Sequence, residues 1–307
     1  MKLVTFSCRG RASIGKVLGD RVIDLPGADP ALPHTMLALL QGGPALMARA
    51  RAVEDGPSWP LAGVHLHAPI PNPSKYLAIG LNYRKHVEEA VRFGIKPPET
   101  QLWFNKQVSC VHPPYDPVHL PRVCEKLDYE AELGVVIGQR CRHVRAEDAR
   151  SVVAGYTVCN DVSARDWQAR SPTMTLGKSF DTHGPIGPWI VTDDAVPDPH
   201  DLQLRMFVNG ELRQDSSTGD MLYDIWQQIA HLSTVMTLEP GDVIATGTPS
   251  GVGMGLQPPR YLSPGDVMRV EIEGVGFIEN TVIAEPDVLG TGAGSTSEET
   301  SAGASVA

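Results

Sequence analysis

The stretch "LDYEAELGVVIG" (127–138) places Asp128, Glu130 and Glu132 at every second position, directly before an apolar run. Successive side chains of a β-strand point to opposite faces, so the three carboxylates are expected to share one face. Like charges at this spacing repel each other unless water screens them or a cation lies between them. The stretch therefore predicts a strand whose acidic face is either exposed to solvent or part of a metal site.

The composition of the whole chain is typical of a globular protein with a sizeable core. Of its 307 residues, 42% are hydrophobic and 20% are charged. The net charge of −10 and the absence of a basic block predict that no nucleic acid is a partner. The sequence shows neither an apolar run of roughly 20 residues, the length that crosses a bilayer, nor a secretory signal. We therefore expect no membrane partner and a cytoplasmic location.

Strand-like runs bounded by Gly, Pro, Asn or Asp dominate the chain after residue 70. They are "LGVVIG" (133–138), "VVAGYTVCNDV" (152–162), "PIGPWIV" (185–191), "LQLRMFVNGELRQ" (202–214), "GDVIATGT" (241–248) and "GDVMRVEIEGVGFIENTVI" (265–283). Asn209–Gly210 is a strong signal for a type I′ hairpin. Helical patterns are fewer, at 82–94, 145–153 and 221–236. These patterns predict an α+β fold that is rich in β-structure.

The chain divides into three predicted regions. Residues 1–70 indicate a small N-terminal domain, with a hairpin that turns at Gly19–Asp20 and a short helix near "HTMLALLQGG". Three prolines in "HAPIPNPSK" (67–75) favour a linker to the main domain, 71–287. Residues 288–307 are rich in Gly, Ser, Thr and Ala and are predicted to form a disordered tail.

A further acidic residue, Asp161, follows an apolar strand in "TVCNDVSARDWQ" (157–168). At the end of a core strand it could serve as a ligand, although the N-cap of the following helix would explain it equally well. With Glu130 and Glu132 it would offer three carboxylates to a hard cation. Such a set favours Mg²⁺ or Mn²⁺, with Ca²⁺ less favoured, and leaves coordination positions for water and substrate.

Six segments resemble motifs of the fumarylacetoacetate hydrolase family, in the family's order and from about residue 72 to about 285. They are "GLNYRKHVEEA" (80–90), "LDYEAELGVVIG" (127–138), "AGYTVCNDVSARDWQ" (154–168), "LGKSFDTHGPIGPWIV" (176–191), "FVNGELRQDS" (207–216) and "LEPGDVIATGTPSGVG" (238–253). The resemblance is to the branch of acylpyruvate hydrolases and 2-hydroxyhepta-2,4-diene-1,7-dioate isomerases. It implies a rolled mixed β-sheet core, a smaller N-terminal domain and a homodimer.

The resemblance also implies roles for individual residues. These are Glu130, Glu132 and Asp161 as metal ligands, His86, Glu89 and Lys178 as catalytic residues, and Arg165, Gln168 and Thr248 as substrate-binding residues. His86 and Glu89 would lie on a short mobile lid helix, where a spacing of three residues places both on one face. Asp128 matches no ligand position.

The function implied by the resemblance is that of a divalent-metal-dependent hydrolase. It would cleave a C–C bond in a small anionic acylpyruvate-like β-diketo acid through a metal-bound enolate. Decarboxylation of an oxaloacetate-type β-keto acid and isomerisation of 2-hydroxyhepta-2,4-diene-1,7-dioate use the same site, while a non-catalytic metal-binding protein is less favoured. The pair of His86 and Glu89 favours hydrolysis, because loss of CO₂ requires no activated water. The stretch "WFNKQVSC" (103–110) departs from the family pattern beside the expected cleft and leaves the substrate open.

Overall fold

The computed structural model describes residues 1–92 and 94–287 of the chain. The predicted disordered tail, 288–307, lies outside the described residues. Within them the strands are β1 (Lys2–Cys8), β2 (Arg11–Leu18), β3 (Arg21–Asp24), β4 (Ser58–Pro60), β5 (His65–His67), β6 (Tyr76–Gly80), β7 (Leu102–Lys106), β8 (Val111–His112), β9 (Val118–Leu120), β10 (Leu127–Asp128), β11 (Ala131–Ile137), β12 (Val153–Asn160), β13 (Ser163–Ala164), β14 (Gly184–Thr192), β15 (Gln203–Val208), β16 (Glu211–Ser217), β17 (Val243–Ala245), β18 (Val267–Ile272) and β19 (Gly276–Ala284).

Helices in the described ranges are short and fewer than the strands. The α-helices are α1 (Leu25–Ala28), α2 (Met36–Gln41), α3 (Gly43–Ala52), α4 (Arg84–Arg92), α5 (Arg165–Gln168) and α6 (Ile225–Val235). The 3₁₀ helices are Leu61–Gly63, Val108–Cys110, Ala146–Val152, Thr175–Lys178, Asp193–Ala195, Thr218–Asp220 and Gly253–Gly255. No helix in the described part of the chain has the length and apolar character needed to cross a membrane.

The central sheet is mixed and rolled. Its strand order is β4-β3-β2-β1-β14-β12-β11-β17-β6-β7, with β5 paired to β1 and β8 paired to β14. Only a 3₁₀ turn separates β7 from β8, so the last strand of the sheet leads back to its middle. β17 and β6 pair in parallel, whereas β11 is antiparallel to both of its neighbours. The predicted β-rich α+β fold with a rolled mixed sheet is confirmed.

Strand β11 lies at the centre of this sheet, between β12 and β17, and every one of its residues is buried. Burial on both faces explains why its sequence is a nearly continuous apolar run. The three alternating carboxylates, of which Asp128 and Glu130 precede β11 and Glu132 lies in it, are buried as well: Asp128 is 0% exposed, Glu130 5% and Glu132 1%. An acidic strand face in contact with solvent is therefore excluded, and these charges require partners inside the protein.

The N-terminal strands extend the same sheet. β1 pairs with β14 through Lys2 and Leu3, and β2 and β3 form the predicted hairpin across Gly19–Asp20. The predicted short helix is α2, and α3 follows it without having been predicted. Hydrogen bonds between β1 and β14 connect the residues before 70 to those after it. A domain boundary near residue 70 stays a prediction.

A second sheet has the strand order β16-β15-β18-β19-β9. Asn209 and Gly210 connect β15 and β16 with φ values of 53° and 78°, and the positive sign at both positions is what a type I′ turn requires. Helix α6 begins later than the predicted residue 221, because Asp224 and Gln227 form a capping box at its start. The pattern at 145–153 forms a 3₁₀ helix, not an α-helix.

Candidate functional site

The pairing of β11 with β12 brings three predicted site residues together. Ala131 pairs with Asn160, and the backbone N–H of Asp161 donates to the carbonyl oxygen of Glu130 at 2.9 Å. The start of β11 therefore lies beside the end of β12. Glu130, Glu132 and Asp161 are all buried, and one carboxylate oxygen of each lies within 4.8 Å of the others.

This donor set fits a divalent cation. Glu132 accepts a hydrogen bond from the backbone N–H of Gly247 at 2.8 Å, but it forms no salt bridge within the described ranges. Burial and the negative charges of Asp161 and Glu130 raise the pKa of the Glu132 carboxyl well above its usual range. A dication among the three carboxylates would offset this repulsion, and hard oxygen ligands are those that Mg²⁺ and Mn²⁺ prefer. Glu130, Glu132 and Asp161 are thus the residues that could hold it.

Lys178 bridges two members of this carboxylate group. It ends the 3₁₀ helix Thr175–Lys178, and its Nζ is 2.7 Å from Glu130 Oε2 and 2.7 Å from Asp161 Oδ2. Burial raises the pKa of Glu130, but the charges of Lys178 and Arg165 outweigh it and lower the pKa to about 2. Glu130 is therefore held as an anion, as a metal ligand must be.

The sequence motifs assign no role to Lys106, a second buried lysine at the site. It lies at the end of β7, and its Nζ is 2.6 Å from Asp161 Oδ1 and also donates to the carbonyl oxygen of Lys178. Burial lowers its pKa, but Asp161 and other nearby anions together raise it. The available signal was the alternation in β7: Lys106 is in phase with buried Phe104, and a lysine on a buried strand face requires an anion.

Arg165 connects Asp128 to the carboxylate group. Its Nε is 2.9 Å from Asp128 Oδ2, and its Nη1 is 2.6 Å from Glu130 Oε1. Asp128 also accepts backbone N–H groups of Tyr129, Gly253 and Met254 at 2.7–3.0 Å. Asp128 is thus separate from the three possible metal ligands and fixes the loop 251–255 and the guanidinium of Arg165 in place.

Helix α4 carries the predicted His86–Glu89 pair. His86 Nδ1 lies 2.8 Å from Glu89 Oε2, and Glu89 Oε1 accepts the backbone N–H of Gly251 at 3.1 Å. The helix contacts the loop 251–255 so closely that a Cβ on Gly255 would lie 2.2 Å from Glu89 Oε1. Backbone N–H groups of the segment "GVGMG" (251–255) therefore donate hydrogen bonds to two carboxylates, that of Glu89 on α4 and that of Asp128 on β10.

The remaining two predicted residues also lie at the site. Gln168 Oε1 accepts a hydrogen bond from Arg165 Nη1 at 2.9 Å. Thr248 Oγ1 accepts one from Gln214 Nε2 at 2.8 Å, which leaves the hydroxyl proton of Thr248 available for a ligand. Both residues have their polar groups oriented by a neighbour.

One cavity of about 310 Å³ connects these groups. Seven of the nine predicted site residues line it: His86, Glu89, Glu130, Arg165, Gln168, Lys178 and Thr248. Glu132 and Asp161 do not line it and adjoin it through Glu130 and Lys178. The cavity thus has two sides, a buried cluster of ion pairs and a helix that bears an imidazole–carboxylate pair.

Comparisons with known proteins identify the family. The profile described as fumarylacetoacetate (FAA) hydrolase C-terminal matches residues 75–283. The oxaloacetate tautomerase Fahd2a, mitochondrial, of Rattus norvegicus is 42% identical over 269 residues, which cover 87% of this chain and 85% of that protein. Solved structures of two further enzymes resemble the chain over 93% of its length, as described next.

The first is maleylpyruvate hydrolase from Sphingobium sp. SYK-6 in complex with manganese(II) ion and pyruvate, with a TM-score of 0.78, 37% identity and 100% of that chain covered. The second is 5-carboxymethyl-2-hydroxymuconate delta-isomerase from Mycobacterium smegmatis, with a TM-score of 0.75, 36% identity and 100% of that chain covered. The profile match spans more than half of the sequence and contains the whole carboxylate group. This protein belongs to the fumarylacetoacetate hydrolase family.

Proposed function

We propose that the protein is a divalent-metal-dependent hydrolase that cleaves a C–C bond in a small acylpyruvate-like β-diketo acid. Glu130, Glu132 and Asp161 would hold Mg²⁺ or Mn²⁺. The observation that carries this proposal is that a single cavity joins the carboxylate group to the His86–Glu89 pair. The manganese ion and pyruvate in the Sphingobium hydrolase structure support a metal and an oxo acid of this kind.

Arg165 is the group best placed to bind a substrate carboxylate. Its Nη2 is buried and has no hydrogen-bond partner among the described residues, while its other two nitrogens are held by Asp128, Glu130 and Gln168. A buried N–H without a partner is costly unless a ligand supplies the acceptor. A carboxylate at Nη2 would satisfy it and would orient the substrate.

The net charge of the cluster also favours an anionic substrate. Four buried carboxylates, of Asp128, Glu130, Glu132 and Asp161, face three buried cations, of Lys106, Lys178 and Arg165. The cluster therefore carries one excess negative charge when all are ionised. A dication changes that excess to positive, which attracts an anionic oxo acid into a site of low dielectric constant.

His86 is the proposed base for the hydrolytic step. When bound, the divalent cation supplies Lewis-acid stabilisation of the charge that develops on the oxo acid. Because Nδ1 of His86 is held by Glu89, its Nε2 can take a proton from water. The water oxygen attacks the distal carbonyl carbon, and the bond to the central carbon breaks. The pyruvate enolate then accepts the proton from His86, while Lys178 adds positive charge beside it.

A second candidate is proton transfer within an oxo acid, by tautomerisation or isomerisation. The names of the Rattus tautomerase and the Mycobacterium isomerase favour it. In this case His86 would move a proton between two atoms of the substrate, and no water would be consumed. Decarboxylation of an oxaloacetate-type β-keto acid is a related option. A non-catalytic metal-binding role is less favoured, since it gives the His86–Glu89 pair no task.

The variant His86→Ala distinguishes these candidates. Hydrolysis of acetylpyruvate is expected to fall by about 10²–10⁴-fold, the usual contribution of a general base, while oxaloacetate decarboxylation falls less. Both rates are measured with Mg²⁺ and with Mn²⁺, alongside binding of Mn²⁺. His231→Ala, at an exposed position of α6, is the control and is expected to leave both rates unchanged. Equal losses in the two reactions would remove the water-activating role of His86.

Two further expectations accompany the proposal. A homodimer stays a prediction, and light scattering of the purified protein checks it. A cytoplasmic location is also a prediction, which fractionation of the native cells checks, since the Rattus relative is named as a mitochondrial protein.

A further inference from the structure

The arginine and the lysine that line the cavity contact the same carboxylate. Arg165 Nη1 and Lys178 Nζ both contact the carboxylate of Glu130, at 2.6 and 2.7 Å. The third basic group of the lining, His86, is paired with Glu89. Among the described lining residues, the arginine and lysine side chains thus both lie beside Glu130.

The remainder of the lining is mostly aliphatic. We call six of its side chains the apolar wall: Ile79, Leu81, Ile95, Leu102, Met174 and Val252. A carboxylate against such a wall would lose its hydration and find no cation in exchange. An aliphatic group would instead gain free energy with every methylene that it buries. At about 310 Å³, the cavity is near the lower end of ligand pockets, which span about 300–1,000 Å³.

We propose that the substrate carries a single carboxylate, bound at Arg165, and an uncharged aliphatic acyl group that packs on the apolar wall. This inference rests on the proposed function and narrows its substrate class to monocarboxylic acylpyruvates. Longer dicarboxylic oxo acids such as 2-oxoadipate, whose second carboxylate would meet the apolar wall, are poor substrates. The wall, and Leu102 within it, determines this specificity.

Binding of two oxo acids tests the proposal without any chemistry. 2-Oxohexanoate and 2-oxoadipate share the 2-oxo acid end and the chain length, and differ in a terminal methyl or carboxylate group. Calorimetric titration of the full-length, Mg²⁺-loaded protein should show at least tenfold tighter binding of 2-oxohexanoate. From pyruvate to 2-oxohexanoate, each added methylene should tighten binding by up to about fourfold, since a buried methylene contributes about 0.8 kcal/mol.

The variant Leu102→Arg should reverse this preference. Leu102 begins β7 and is only partly buried, so a longer charged side chain can be accommodated there. The ratio of the two affinities is expected to shift at least tenfold toward 2-oxoadipate. Leu212→Arg adds the same charge on the exposed side of β16, where Leu212 is 47% exposed. This control should leave the ratio unchanged, which separates a local effect from a change in net charge.

Equal binding of the two acids by the unaltered protein, or tighter binding of 2-oxoadipate, would overturn the proposal, whether or not Leu102→Arg folds. Failure of any 2-oxo acid to bind would overturn it too. Hydrolysis of acetylpyruvate is measured in parallel. Selective binding without hydrolysis would refute the proposed hydrolase and leave the ligand class standing, and hydrolysis without selectivity would do the reverse.

Discussion

The floor and the lid of the cavity hold their charges in different ways. The floor is the buried cluster formed by Lys106, Asp128, Glu130, Glu132, Asp161, Arg165 and Lys178. Its ion pairs share partners, so that each of the three cations touches at least one carboxylate at 2.9 Å or less. The lid is α4, where the His86–Glu89 pair has side-chain exposures of 13% and 11% and one hydrogen bond to the loop 251–255.

This difference indicates a division of labour. Charges without water depend on their partners, so loss of one member of the floor is expected to lower the stability of the fold, its affinity for the metal, or both. The lid contributes little to the core and depends on a few contacts for its position. We therefore expect changes in the floor to affect stability or metal affinity, and changes in the lid to affect turnover while the fold persists.

The largest effect is expected when two floor carboxylates lose their charge. In Glu130→Gln/Glu132→Gln, metal-dependent turnover and Mn²⁺ binding should be lost, because Asp161 alone cannot hold the ion. The protein should stay folded, since Lys178 remains paired with Asp161 and Arg165 remains paired with Asp128. Turnover, Mn²⁺ titration and circular dichroism measure the three outcomes. Glu99→Gln, at an exposed pair, is the control. Activity that survives both the double substitution and metal stripping would contradict the metal-dependent mechanism.

The next prediction compares a buried lysine with an exposed one. Lys106→Met leaves the Oδ1 atom of Asp161 without its cation, so the free energy of unfolding should fall by about 3 kcal/mol, the lower part of the range for a broken buried pair. Lys96→Met breaks the pair with Glu99 on the surface, where Lys96 is 84% exposed, and should change nothing measurable. Urea unfolding of both variants decides. Similar losses of unfolding free energy in the two variants would mean that the ion pairs of the floor stabilise the fold no more than a surface ion pair does.

The third prediction concerns the contact between lid and loop. In Gly255→Ala, the new Cβ would lie 2.2 Å from Glu89 Oε1, and the flexible carboxylate must move away. Stability should change little, yet kcat should fall by up to about 10²-fold, the cost of a misplacement near 1 Å. Gly63→Ala, whose Cβ meets only ordinary contacts, is the control.

A double variant completes this test. If Gly255 acts through Glu89, then Gly255→Ala adds no further loss of kcat to Glu89→Ala. Additive losses would show that Gly255 affects turnover by another route. A large fall in melting temperature for Gly255→Ala alone would place the glycine in the structural core and not in the positioning of the lid.

Much of the fold could be predicted from local patterns. The alternation in 127–138 predicts a strand, and Asn209–Gly210 predicts the hairpin between β15 and β16, because side-chain period and turn chemistry are local properties. The start of α6 was less predictable, since a reciprocal cap between Asp224 and Gln227 determines it. That cap competes with an apolar pattern that begins earlier.

By itself, the sequence determined which residue types were available to the site. It also determined which of them share a strand face, because alternate side chains of a strand point the same way. Only the tertiary structure decided their partners. Asp128 and Glu132 are predicted to share a face, yet Asp128 belongs to the short β10 and pairs with Arg165, 37 residues away. Lys106 meets Asp161 across 55 residues. A local sequence pattern does not show which distant residues meet, because the pairing of strands and the closure of the sheet determine these contacts.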